Sequence, residues 1–95
     1  MKTIYLDLTD CKYWDDLHAR IRTAFNFPEW CGRNWDAFWD LLWSDCDADR
    51  LVITGEYSMP KEFDGELAIM HEVLDRLIKW RKEMYFNDFS YEIRS

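Results

Sequence analysis

Pro28-Glu29-Trp30-Cys31-Gly32-Arg33-Asn34-Trp35-Asp36-Ala37-Phe38-Trp39-Asp40-Leu41-Leu42-Trp43-Ser44-Asp45 is the most informative segment of the chain. Proline, glycine and asparagine end one element here and begin another, and the residues after Asn34 follow helical spacing. At about 100° per residue, Trp35, Phe38 and Leu42 share one face, which reads as a core face. Asp36, Asp40 and Trp43 share nearly the opposite face, with Trp39 on the border. Like charges at i,i+4 weaken a helix by roughly 0.2–0.5 kcal/mol. Neither aspartate has a lysine or arginine four residues away to offset this. Asp36, in the first turn, gains from the positive end of the helix dipole, whereas Asp40, mid-helix, gains much less. Asn34 suits an N-cap accepting from the amide of Asp36 or Ala37. An acidic helix face is ordinarily just a solvated surface. This one also carries tryptophans at 35, 39 and 43, only one of them clearly on the core stripe, and is suited to meet something cationic.

Working outward, Ile4, Leu6 and Leu8 alternate with polar neighbours and predict a short strand with one buried face. Trp14, Leu17, Ile21 and Ala24 follow helical spacing, and Phe27-Pro28 stops that helix because the residue before proline disfavours the α region. The acidic helix spans about Trp35 to Trp43 or Ser44, and residues 44–49 are a polar loop. Leu51-Val52-Ile53-Thr54 is too short and β-branched for anything but a buried strand, closed by Gly55. Tyr57 to Phe63 is a loop or an irregular helical turn. Leu67, Met70, Val73, Leu74, Leu77 and Ile78 define the clearest amphipathic helix, starting near Asp64 or Gly65. Phe89, Tyr91 and Ile93 alternate in a C-terminal strand. The order β-α-α-β-(turn)-α-β predicts an α/β fold, a three-stranded parallel sheet with helices packed on it.

At 95 residues the chain predicts one domain, residues 1–95. Aromatics at 18%, with six tryptophans, exceed what so small a core requires, so some are expected on a binding surface. The formal charge of −7 is unevenly spread, with six acids and one base between Glu29 and Asp49. Phosphate binding needs a clustered basic surface, so nucleic acid is not expected as a direct ligand. A basic protein partner, steered electrostatically, suits this charge better. No stretch approaches the roughly 18 apolar residues of a membrane span, and residues 1–7 lack a signal-peptide core. Cys11, Cys31 and Cys46, odd in number and without a CxxC, read as free thiols. Together these predict a cytoplasmic protein.

Catalytic constellations fare poorly. Asp36 and Asp40 have no nucleophile or oxyanion donor beside them in sequence. They have no metal-ligand partners either, since His18 and His71 lie on other helices, so no metal or cofactor is expected. His18, after core residue Leu17, reads as a surface or boundary imidazole, and His71 likewise. Cys31 has no histidine near it in sequence, and the isolated glycines form no phosphate loop. The sequence predicts a protein that is not an enzyme.

Residues 28–40 meet the pattern Pro-Glu-aromatic-x-Gly-x-Asn-hydrophobic-Asp-Ala-hydrophobic-Trp-Asp at every constrained position. In this the chain resembles the barstar family of ribonuclease inhibitors, with Asp16-Leu17-His18 and the order of elements as supporting matches. The resemblance implies a two-layer barstar-like fold whose second helix and preceding loop plug the active site of a basic nuclease. It also implies roles. Asp40 would occupy the phosphate site, Asp36 would pair with a second cation, and Trp30 would pack on a catalytic histidine. Gly32, Asn34, Trp39, Trp43 and Ser44 would complete the patch. There are departures: Cys31 replaces an aromatic, Leu41 a cysteine, Ser44 a glycine, and Arg76 stands where the family presents an acidic contact.

The expected function is therefore stoichiometric inhibition of a toxic ribonuclease, barnase-type or a related toxin domain, in a one-to-one complex by an otherwise monomeric protein. A barstar-fold immunity or binding protein for a non-ribonuclease partner is the alternative.

Overall fold

The computed structural model describes residues 2–27, 34–44, 48–84 and 87–94. Strand β1 (Thr3–Asp7) leads into α1 (Trp14–Phe25), then α2 (Trp35–Ser44) and β2 (Arg50–Thr54). Two single 3-10 turns, Glu56–Ser58 and Lys61–Phe63, precede α3 (Asp64–Glu83), and β3 (Ser90–Arg94) closes the order. The sheet is parallel throughout, in the order β1-β2-β3. This is the architecture the sequence predicts, with the long helix starting at Asp64 as expected.

The register explains the two layers. Ile4 and Leu6 align with Leu51 and Ile53, and these with Tyr91 and Ile93. All six belong to the core or pack against it, together with Leu17, Ile21, Phe38, Leu42, Met70, Val73, Leu74 and Leu77 from the helices. The alternate rows, Thr3-Arg50-Ser90, Tyr5-Val52-Glu92 and Asp7-Thr54-Arg94, are mostly polar. Side chains in a strand alternate between faces, so the helices cover one face of the sheet while the other keeps polar rows. On that face Glu92 accepts hydrogen bonds from Arg50 and Arg94, the latter at 2.8 Å. These bonds hold the Glu92 carboxyl below the usual range, that from Arg94 contributing most.

Helix α1 stops one residue earlier than the Phe27-Pro28 boundary suggests. Asn26 adopts the left-handed conformation (φ 57°, ψ 39°). The amide of Phe27 donates to the carbonyl of Arg22 at 2.9 Å and that of Asn26 to Thr23 at 3.2 Å. That pair of bonds is a Schellman ending, and asparagine tolerates the left-handed region better than other residues with a side chain. Helix α3 carries Asp64 and Glu66 in its first turn and Arg81 and Lys82 in its last, each sign matching the helix dipole.

Tyr91 joins β3 to α3. Its hydroxyl donates to Asp75 Oδ1 at 2.9 Å, and its ring stacks on His71, which pairs with Glu56 at 2.9 Å. Burial first, then the bond to Asp75, pushes the Tyr91 phenol up to about 12. The folded state thus keeps a proton that the unfolded chain releases near its ordinary value of about 10. The stabilisation is present below pH 10 and is lost as pH rises towards 12. Urea melts of wild type and Tyr91→Phe across this range should show a downward slope in wild type that the variant lacks. Parallel slopes would contradict the assignment.

Candidate functional site

Helix α2 packs on α3, burying Phe38, Leu41 and Leu42. Asn34 caps it as the sequence suggests, its Oδ1 accepting from the amide of Ala37 at 2.8 Å. Its carbonyl takes the first helical bond, from Phe38 at 3.2 Å. Phe38, Leu41 and Leu42 leave the opposite side of the helix to solvent. There Asn34, Asp36, Asp40, Trp43 and Ser44 are exposed, and Trp39 is half-buried. The Ser44 hydroxyl is engaged locally, donating to the Asp40 carbonyl oxygen at 2.6 Å. Trp30 and Gly32 lie outside the described residues.

Neither the Asp36 nor the Asp40 carboxylate is hydrogen-bonded or ion-paired to a described residue. By contrast, Asp16 holds Arg20 at 3.1 Å, Glu92 holds two arginines, and Glu66 accepts from the Trp35 indole at 2.6 Å. An exposed ion pair contributes little, so this openness costs the fold little. It leaves both carboxylates able to accept from an incoming cation.

The three tryptophans of α2 sit where helical spacing puts them, Trp35 packed towards the core, Trp39 half-buried at the border and Trp43 exposed. Each meets α3: Trp35 bonds Glu66, Trp39 lies under the Arg76 guanidinium at 5.2 Å, and Trp43 meets Trp80 at 6.0 Å between ring centroids. They form a seam between the two helices, and only Trp43, 45% exposed, remains largely open. The sequence reading passed over Trp80. Its place three residues after core Leu77 was the available signal.

His18 departs from the expected position. Expected at the surface or boundary, it is 6% exposed and lies between the rings of Trp14 (4.4 Å) and Trp35 (4.7 Å). The indole from α2 supplies the cover, which spacing within α1 alone does not reveal.

Two open grooves lie elsewhere. One of about 370 Å³ is lined by Tyr5, Asp7, Asp16, Arg20 and Thr23. The other, about 400 Å³, is lined by Glu56, Met59, Lys61, Asp64 and His71. Neither includes a residue of α2. Among the described residues no three His, Cys, Asp or Glu side chains come together to hold a metal ion. No helix among them is long and apolar enough to cross a membrane.

The fold defines a two-layer α/β domain on a small parallel sheet, with an open acidic helix on its surface. The family model described as Barstar (barnase inhibitor) matches residues 1–92, and the chain belongs to the barstar family. It is also similar to a Bacillus subtilis (strain 168) protein, YrdF, which bears the name "Putative ribonuclease inhibitor". The two are 27% identical over 84 residues, which span 88% of this chain and 90% of the relative. Both comparisons support a role like that of a barnase inhibitor.

Proposed function

We propose that the protein, folding as one domain and monomeric when free, is a stoichiometric and non-catalytic inhibitor of a toxic ribonuclease. It binds one to one and lays α2 into the active-site cleft. The observation that carries this is the pair of exposed carboxylates of Asp36 and Asp40, engaged by no described residue and one turn apart on the surface of a barstar-family chain. A cleft that binds RNA phosphate offers cations and hydrogen-bond donors, and a carboxylate brought among them forms charge-assisted bonds of the stronger kind. Asp40 takes the phosphate position and Asp36 a neighbouring cation. Trp30, Gly32, Asn34, Trp39, Trp43 and Ser44 complete the contact. The reading places the protein in the cytoplasm of the producing cell, as an immunity protein. The free, buried thiol of Cys11 suits that reducing compartment.

The test is inhibition of a purified barnase-type ribonuclease, followed as a function of salt. Opposite charges steer the encounter, and the Debye length falls from about 30 Å at 0.01 M to about 3 Å at 1 M salt. The association rate constant should therefore drop at least about tenfold from low to high salt. Dissociation should change far less. An association rate indifferent to salt would rule out the electrostatic mechanism.

A further inference from the structure

The acidic face has a cation at its border. Arg76 of α3 is exposed, and its guanidinium carbon lies 5.2 Å from the centroid of the Trp39 indole. Trp39 sits three residues after Asp36 and directly before Asp40. Arg76 is therefore held on the indole that borders the face carrying the two carboxylates. Arginine stacks on an aromatic face while its donors stay free for another group. Among the described residues none accepts a hydrogen bond from Arg76 or pairs with it. Arg20, Arg50, Arg81 and Arg94, in contrast, each face a carboxylate of this chain.

A clasp between α2 and α3 would explain the stacking alone, but an apolar side chain would cover the indole as well. It does not account for a guanidinium that no described residue engages, at the border of the face with the two aspartates. A surface of two negative charges bordered by one held positive charge is complementary to the reverse pattern, a cationic cleft with a carboxylate on its rim. Like charges across an interface suppress wrong partners as effectively as opposite charges attract right ones.

We propose that Arg76 is a specificity determinant of this surface, favouring a ribonuclease whose cationic cleft is bordered by a carboxylate and rejecting one whose border is basic throughout. The inference rests on the reading of Asp36 and Asp40 as inhibitory contacts.

The test uses the full chain with purified barnase as a basic probe. Binding and association rates are measured for wild type, Arg76→Glu, Arg76→Met, Arg76→Lys and Asp40→Ala. Met keeps apolar cover on Trp39 without charge, and Lys keeps charge without the planar fork. The expected order of affinity is Glu above Met above Lys and wild type, with at least a tenfold gain for Glu over wild type. A structural clasp would instead make every substitution bind no better than wild type. In the complex formed by Arg76→Glu, the basic barnase residue nearest position 76 is then replaced by glutamate. Wild type should now bind that probe more tightly than Arg76→Glu does.

Equal or weaker binding by Arg76→Glu, with Asp40→Ala still impaired, would overturn the role of Arg76 and leave the inhibitory face standing. Absence of binding by both wild type and a folded Arg76→Glu would also overturn it, because removing the repulsion should uncover contact. Asp40→Ala without effect in a chain that does bind would bring down the inhibitory face itself.

Discussion

Asp40→Ala should weaken binding to the target ribonuclease by roughly 30-fold to more than 10³-fold while leaving the fold intact. Truncating one partner of a buried, hydrogen-bonded charge pair costs about 2–5 kcal/mol, a general range drawn partly from barnase–barstar itself and so not an independent estimate. Much of that cost falls on the nuclease, whose cations are left desolvated and unpaired. Stability should move the other way. Removing one of two like charges at i,i+4 relieves roughly 0.2–0.5 kcal/mol of repulsion, and no described residue loses a bond to the Asp40 side chain. Inhibition titrations and urea melts on the same samples check both signs. An inhibition constant equal to that of wild type would sink the assignment of Asp40. Loss of inhibition together with loss of stability would mean that the aspartate supports the fold instead.

The largest effect on folding is expected at Gly55→Ala. Gly55 follows β2 with φ +76°, and a Cβ there would lie 2.3 Å from both the amide nitrogen and the Oγ1 of Thr9. A left-handed conformation costs a residue with a side chain roughly 1–2 kcal/mol. Forcing extra volume into a filled site costs a further 1–3 kcal/mol or so. The sum, about 2–5 kcal/mol, corresponds to a melting point lower by roughly 10–30 °C in a domain of this size. Two of the three nearest atoms, the Thr9 nitrogen and Cα, are backbone, so removing the Thr9 hydroxyl does not rescue it. Gly65→Ala is the control. It lies in the first turn of α3 with nothing within 4 Å of the added carbon. That change should stabilise by about 0.4–1 kcal/mol. Melting points for the two variants that fail to diverge would refute the geometric account of Gly55.

Much of the fold was legible because the core is written in simple periods. Ile4 and Leu6 alternate, Leu51 to Ile53 form an unbroken apolar run, and Leu67 to Leu77 recur at helical intervals. Order along the chain followed from those periods. The order of strands across the sheet did not, because β1 and β3 reach β2 only through tertiary pairing. The end of α1 was read from a proline, while the Asn26 conformation that closes it leaves a weaker mark in sequence. In the site, Asp36, Asp40 and the Asn34 cap could be placed by helical geometry alone. What eluded the sequence lies between elements. Trp35 covering His18 and Arg76 covering Trp39 are contacts across helices, which no single period encodes.

The order β1-β2-β3 makes β1 and β3 the edge strands among the described residues. Such edges are templates for aggregation unless something discourages pairing. On β3 the discouragement is carried by Glu92 and Arg94. A second β3 added parallel and in register would set each of them against its own copy, and like charges directly opposite destabilise a strand pair. A chain whose edge strand carries this charge barrier can stay dispersed at high concentration. The charges that provide it lie on β3, an element separate from α2 and its exposed aspartates.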